Sequence, residues 1–349
     1  MPAEEVTIAE LLRDAGYQTA CIGKWDVSSR RAIVDRMPNS QGFGYFFGTL
    51  GANDDGVVKF HENDNSAGET RAMGSLTRLY TDKAIDWLRF KREPGQPFFL
   101  YVAHTMAHTI IDASDRFRGA SKGGLYGDVV EELDYETGRL LDVVDELGLR
   151  DNTLVIYTTD NGPWNQPAYT SKKKGHPEGS VFWGDSGPFR NGKGSCYEGG
   201  LRTACIVRWP GNTPAGGSSD AIFATIDLAP TIARLAGCEL PTDRVIDGVD
   251  QTALITGKSP RGARSTFCYT KAYRKGKWKY LLADHCLYEY AREPGRPLAE
   301  ELYDLEADLG ETNNVIDQHP AIAAELRAEL KEFVGDRESR YELGHAWQR

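Results

Sequence analysis

Residues 97–108 read Pro-Phe-Phe-Leu-Tyr-Val-Ala-His-Thr-Met-Ala-His. The apolar run over 98–103 has the length of one buried strand and is far too short to cross a bilayer as a helix. Before it, residues 75–92 carry Leu76, Leu79, Tyr80, Ala84, Trp87 and Leu88 at helical spacing. After it, residues 126–147 repeat that spacing with Val129, Val130, Leu133, Leu140, Leu141, Val144 and Leu147. A buried strand between two amphipathic helices, ending in His104 and His108, is the repeating unit of an α/β sheet.

The same unit recurs outward. Residues 153–158 predict a strand closing in Asp160-Asn161-Gly162-Pro163, and 204–208 another, followed by a helix over 228–236 that Gly237 stops. Toward the N-terminus, Thr7 and Glu10 form a capping-box pair for a helix over 7–15. Residues 19–22 then predict a strand ending in Gly23-Lys24-Trp25-Asp26. The pattern implies a mainly parallel sheet with helices on both faces, whose site lies beyond the carboxyl ends of the strands. Residues 28–74, rich in Gly, Asn and Asp, predict long loops. From residue 259 the pattern changes to short strands over 266–272, 278–283 and 301–305 with a closing helix over 322–334. We expect an α/β domain over 1–258 and a small antiparallel subdomain over 259–349.

The 349 residues carry 41 Lys+Arg against 51 Asp+Glu, a net charge of −10. This acidic balance argues against a nucleic-acid partner, and no apolar run is long enough for a helical membrane span. With 40% hydrophobic residues the chain can bury a large core. The basic runs 172–174 and 274–279 predict solvated surface. Six cysteines without a C-x-x-C pair fit neither a disulfide scaffold nor a zinc knuckle. Cys21, Cys205 and Cys268 lie in apolar runs and predict buried thiols. The compartment and the oligomeric state are not encoded in these features.

The polar clusters at strand ends carry the chemistry. Asp160 and Asn161 supply adjacent oxygens suited to Ca²⁺ or Mg²⁺, although Asp-Asn-Gly-Pro also favours a plain turn. His104 and His108 could bind a transition metal, transfer a proton, or stand four apart by chance. Lys24 and Lys193 each adjoin glycine, which lets an ammonium and backbone approach an oxyanion; surface lysine is the simpler reading of each alone. No G-x-x-x-x-G-K-[ST] is present, which argues against a nucleotide. Together these groups suit an anionic ester whose charge grows on its oxygens during cleavage.

Several stretches resemble the sulfatase family, in family order across nearly the whole chain. They are Thr-Ile-Ala-Glu-Leu-Leu-Arg-Asp-Ala-Gly-Tyr (7–17) leading to Ile-Gly-Lys-Trp (22–25), Thr-Thr-Asp-Asn-Gly-Pro (158–163), Gly-Lys-Gly-Ser-Cys-Tyr-Glu-Gly-Gly-Leu-Arg (192–202), Asp-Leu-Ala-Pro-Thr (227–231) and Glu-Leu-Tyr-Asp-Leu (301–305). The resemblance implies an alkaline-phosphatase-like fold and formylglycine-dependent hydrolysis of sulfate esters, of arylsulfatase or carbohydrate sulfatase type, with bound Ca²⁺. On the matching motifs, Asp160 and Asn161 would be metal ligands. Lys24 and Lys193 would contact the sulfate and the nucleophile, and His108 would assist the leaving group.

Two departures from the family pattern stand out. The usual Gly-Lys-Trp-His reads Gly-Lys-Trp-Asp, so Asp26 replaces a histidine that acts on the formylglycine hydroxyl; it could keep a base role, bind a cationic substrate group, or cap a loop. Only one C/S-x-P-x-R match occurs, Ser186-Gly187-Pro188-Phe189-Arg190, which leads into the Gly-Lys-Gly of 192–194; the family's nucleophile motif, carried ahead of the 7–17 stretch, does not occur. Nor does the opening strand with paired aspartates, so the chain is expected to start after that segment. We therefore expect weak or absent Ca²⁺ binding and no turnover by this polypeptide alone. A sulfate ester or sulfated sugar is the expected ligand. The rival expectations are a decayed, non-catalytic homologue and a related phosphodiesterase or phosphonate hydrolase.

Overall fold

Period-two alternation sorts the central strands onto two faces. The computed structural model describes residues 4–27, 34–165 and 183–335; the basic run 172–174 lies outside them. Its main sheet holds β1 (Gln18–Lys24), β2 (Tyr45–Thr49), β3 (Val58–Glu62), β4 (Asn65–Thr70) and β5 (Phe98–Ala103), in the order β4-β3-β2-β1-β5. β1, next to the edge strand β5, runs parallel to both neighbours, pairing Ala20 with Tyr45 and with Leu100. Strands β3 and β4 add antiparallel at the far side.

Ala20, Ile22, Tyr45 and Phe47 face one way and are covered by Leu76, Tyr80, Ala84 and Trp87 around α2 (Leu76–Asp86) and by Val129 and Val144 of α3 (Gly124–Glu146). Cys21 and Phe46 face the other way, against Ala9 of α1 (Ile8–Asp14), Trp25 and Phe43. Each face thus loses its apolar surface to water-excluding helices, at about 25 cal/mol per Å² buried. The helix starts as its sequence predicts: Thr7 Oγ1 accepts from Glu10 N, and the Glu10 carboxylate accepts from Thr7 N at 2.7 Å.

Residues 28–74 are not loops throughout, because β2, β3 and β4 lie among them. Gly48 disguises β2 as a turn, yet a Cβ there would stand 1.7 Å from the Gly23 carbonyl oxygen, so glycine is what lets β1 and β2 pair. β4 is almost wholly exposed and carries no buried face to give it a pattern.

β6 (Val155–Thr158) and β7 (Cys205–Arg208) pair antiparallel as a separate ribbon. Cys205 is exposed there, a correction to the buried thiol expected of it, since an apolar neighbourhood in sequence does not decide which side of a ribbon is covered. α4 (Glu198–Leu201), α5 (Leu228–Ala236) and α6 (Thr252–Ile255) follow the second half of the main domain, with Gly237 closing α5 in a left-handed conformation. The C-terminal sheet, β8 (Thr266–Cys268), β9 (Ala272–Lys275), β10 (Trp278–Leu281) and β11 (Glu301–Asp304), is antiparallel throughout. One face takes Leu326 and Leu330 of α7 (Pro320–Gly335), and the other packs on Cys196 and Tyr197.

The run 274–279 is a second correction. Lys279 is wholly buried, its ammonium 2.8 Å from Glu198 and 2.9 Å from Glu311, and Arg274 also reaches Glu198. Two buried carboxylates around a buried ammonium make the burial tolerable; no local charge run could reveal partners so far away in sequence.

Candidate active site

Lys24 stands at the carboxyl end of β1, the strand with close neighbours on both sides. Gly23, at φ 110°, has the Ala103 carbonyl where its Cβ would be, so a side chain there would part β1 from β5. Trp25 then locks the exit: it is buried, its backbone N–H donates to Thr49 O at 2.8 Å and its indole N–H to Arg36 O at 2.9 Å. This leaves Lys24 and Asp26 on the same rim, Nζ to Oδ2 3.3 Å.

His108 follows β5. Asn53, fully buried, reaches over from the 51–56 loop and donates to the carbonyls of His108 at 2.7 Å and Ile110 at 2.6 Å. The imidazole Nδ1 lies 2.8 Å from Thr109 O, and a carbonyl only accepts, so Nδ1 carries the proton and Nε2 keeps the lone pair in the neutral ring. Burial first, and then the ammonium groups of Lys193 and Lys24, hold this histidine below the ordinary imidazole range. Asp54, 3.8 Å from Nδ1, and the Thr109 carbonyl pull the other way. That both lysines act on the ring places Lys24, His108 and Lys193 in one electrostatic neighbourhood.

His104 takes no part in that neighbourhood. It is half-buried edge-on against Tyr80, ring centroids 6.2 Å apart, and the loss of solvent around the ring pushes its titration down to about 4, so it stays neutral.

Lys193 and the Asp160–Asn161 pair are joined through backbone. Gly162 N–H donates to Gly200 O at 2.9 Å, and Lys193 N–H donates to Pro163 O at 2.8 Å. A Cβ on Gly162 would fall 1.8 Å from Gly199 O, so the two turns interlock only as glycine backbones. Asp160 is exposed at the end of β6 and close enough to Tyr101 to help raise that phenol, after burial and Cys21. Asn161 donates its side-chain N–H to Gly162 O at 2.9 Å, which leaves the amide oxygen as its possible cation ligand.

The chemistry of this pair, two hard oxygens, fits Ca²⁺; the number does not. Among the described residues no group of three or more His, Cys, Asp or Glu could hold a metal ion, and a calcium site takes roughly 6–8 oxygens. These residues alone are at most part of such a site.

Sequence reading missed Asn53 and Asp54, which orient and charge-balance His108, and Glu198, which ties the start of α4 to Lys279, Arg274 and Tyr269. Glu198 follows Lys193 by five residues and is buried. Although burial opposes it, Lys279, Arg274 and Arg202 keep its carboxyl below the usual range. The signal available for Asn53 and Asp54 was the Asn-Asp-Asp cluster in a glycine-bounded loop.

Residues 1–238 match the family described as Sulfatase, and residues 187–337 match the one described as N-sulphoglucosamine sulphohydrolase, C-terminal. The chain is 35% identical over 270 residues to N-acetylgalactosamine-6-sulfatase of Rattus norvegicus, covering 72% of this chain and 48% of that protein. It is 42% identical over 201 residues to steryl-sulfatase of Mus musculus, covering 57% of this chain and 31% of that one. The chain thus spans about half the length, or less, of these curated relatives. A solved structure titled for glycosaminoglycan metabolism by Bacteroides thetaiotaomicron superposes with a TM-score of 0.80 at 28% identity, covering 97% of this chain and 83% of that one.

Proposed function

This chain belongs to the sulfatase family, and from that premise we propose that its residues form the sulfate-binding and leaving-group side of a sulfuric ester hydrolase site. The observation that carries the reading is the placement of Lys24 and His108 beyond the carboxyl ends of two adjacent parallel strands, where Gly23 pairs with Ala103, with the charges of Lys24 and Lys193 both lowering the imidazole. Two ammonium groups around one space offset the charge that grows on a sulfate ester's oxygens as its bond breaks. They also keep His108 neutral until an anion arrives. A bound sulfate group compensates the lysines, raises the imidazole's proton affinity, and lets Nε2 gain the proton it then gives to the departing oxygen. Asp26 neutralises part of Lys24 and orients it.

Formylglycine would supply the attacking oxygen and Ca²⁺, on Asp160 and Asn161 among further ligands, would offset ester charge. The one C/S-x-P-x-R match, at 186–190, has its Ser186 hydroxyl donating to the Phe189 and Asn191 carbonyls, so the attacking atom is not assigned to it. A sulfated sugar is the ligand class we favour, supported by the name of the 35% identical relative.

Titration of inorganic sulfate into the purified chain tests the reading. Binding is expected, with Lys24→Ala and Lys193→Ala each weakening it at least about tenfold, or ~1.4 kcal/mol. Sulfate that does not bind, or binds equally well to both variants, sinks it. A second reading, a non-catalytic homologue that only binds sulfated ligands, is favoured by Asp26 standing where the family carries a histidine. Turnover of 4-nitrophenyl sulfate that Lys193→Ala abolishes would reject that second reading.

A further inference from the structure

Three aromatic rings lie in a pile beside the Lys193 turn. Trp164 stacks on Tyr290 with centroids 5.7 Å apart and planes 26° from parallel, and Tyr290 stacks on Tyr288 at 5.2 Å and 7°. The pile brackets Lys193 along its own backbone. Trp164 directly follows Pro163, the acceptor for Lys193 N–H, while Tyr288 and Tyr290 abut Gly194. A Cβ on Gly194, at φ 93°, would stand 2.9 Å from the Tyr288 ring and 3.1 Å from the Tyr290 ring, so glycine makes room for them.

The loop that carries the tyrosines is fastened to the same turn. Leu287 N–H donates to Gly194 O at 2.7 Å, and Asn191 donates its side-chain N–H to Ala291 O at 2.8 Å. Tyr288 is nonetheless 51% exposed and Leu287 40%. An aromatic face held in place at both ends of its loop and left half in water is costly unless something covers it; isolated surface tyrosines are common, but rings stacked in series beside an anion-binding lysine are a shaped surface.

We propose that this pile is the platform for the pyranose ring of a sulfated sugar, with the C–H face of the sugar on Tyr288 and its sulfate directed to Lys193. The proposal rests on the sulfate reading of Lys24, His108 and Lys193. The surroundings select a sugar over a sterol or a bare aryl ring. Asp284 and Arg292, paired at 3.0 Å, and the exposed Glu289 lie on the same 284–292 loop as the two tyrosines and supply it with hydrogen-bonding groups. They suit the hydroxyl rim of a pyranose, whereas a hydrocarbon skeleton would cover them without offering a hydrogen bond.

Isothermal titration of the 349-residue chain with galactose 6-sulfate and with inorganic sulfate separates the two readings. The sugar sulfate is expected to bind about tenfold tighter than inorganic sulfate, the worth of one buried ring face. Tyr288→Ala should collapse that ratio to about one, and Tyr288→Phe, which keeps the ring, should restore it. A ratio near one in the unaltered chain, or one that Tyr288→Ala leaves in place, overturns the platform. Inorganic sulfate that fails to bind while the sugar sulfate still binds through Tyr288 overturns the lysine site and upholds the platform. If neither ligand binds, both readings fall.

Discussion

The carboxylate of Asp26 lies 3.3 Å from the ammonium of Lys24, each side chain about one-quarter exposed. A negative charge in contact with a lysine proposed to bind an anion competes with that anion. Asp26→Asn should therefore tighten inorganic sulfate binding by about fivefold, the upper worth of a partly exposed ion pair. Unchanged or weaker binding by calorimetry would mean that Asp26 serves the ligand directly and does not restrain Lys24.

His108 offers a second check through its titration. Burial, with Lys193 and Lys24, holds its folded value below the ordinary imidazole range. Bound sulfate should move it upward, so the complex takes up protons and sulfate affinity rises as pH falls through that titration. Ring-proton NMR would follow the shift. His108→Ala should flatten the pH dependence of sulfate binding, and a slope that persists would assign it to another group.

Asp227 predicts the acid limb of stability. Burial by itself would raise its carboxyl, but Arg264, the Ala224 and Val249 N–H groups and Gln251 outweigh burial and hold it below the usual carboxylate value. A depressed folded value stabilises the fold above the ordinary Asp titration, near pH 4, and that contribution is lost as pH falls through the folded one. Asp227→Asn should lower stability at pH 7 and flatten its fall in acid, as read by urea unfolding at several pH values. Parallel acid limbs for the two proteins would contradict this.

Lys279 is the buried ion whose loss should cost most. Lys279→Met leaves Glu198 and Glu311 facing each other without their ammonium, and breaking such a buried set costs roughly 3–5 kcal/mol. Denaturant unfolding should show that loss, and because Lys279 holds Glu198, five residues beyond Lys193, sulfate binding should weaken with it. Stability within about 1 kcal/mol of the unaltered chain would mean that the carboxylates take up protons instead.

Much of the architecture was legible because its signals are local. The apolar run of β5, the capping box of α1 and Gly237 after α5 each act within a few residues. β2 was read as loop because Gly48 looks like punctuation, while its cause is a contact with Gly23 in another strand. Lys279 was read as solvated for the same reason: its partner Glu198 is 81 residues away. At the site, Lys24, His108 and Lys193 could be picked out because they follow strands or sit between glycines. Asn53 could not, since its role appears only when its loop folds back onto residues 55 and 57 positions further on.

β5 is the last strand of the main sheet among the described residues, and Tyr101 on it is 45% exposed. Its outer flank is a row of amide donors and carbonyl acceptors with an apolar sequence behind them, which is a template for any extended peptide that drifts past. Concentrated solutions of the 349-residue chain should therefore self-associate through this flank, seen as light scattering that climbs with concentration. A short soluble peptide of alternating valine and threonine, offered in excess, should suppress that scattering; scattering it leaves untouched would point to another surface.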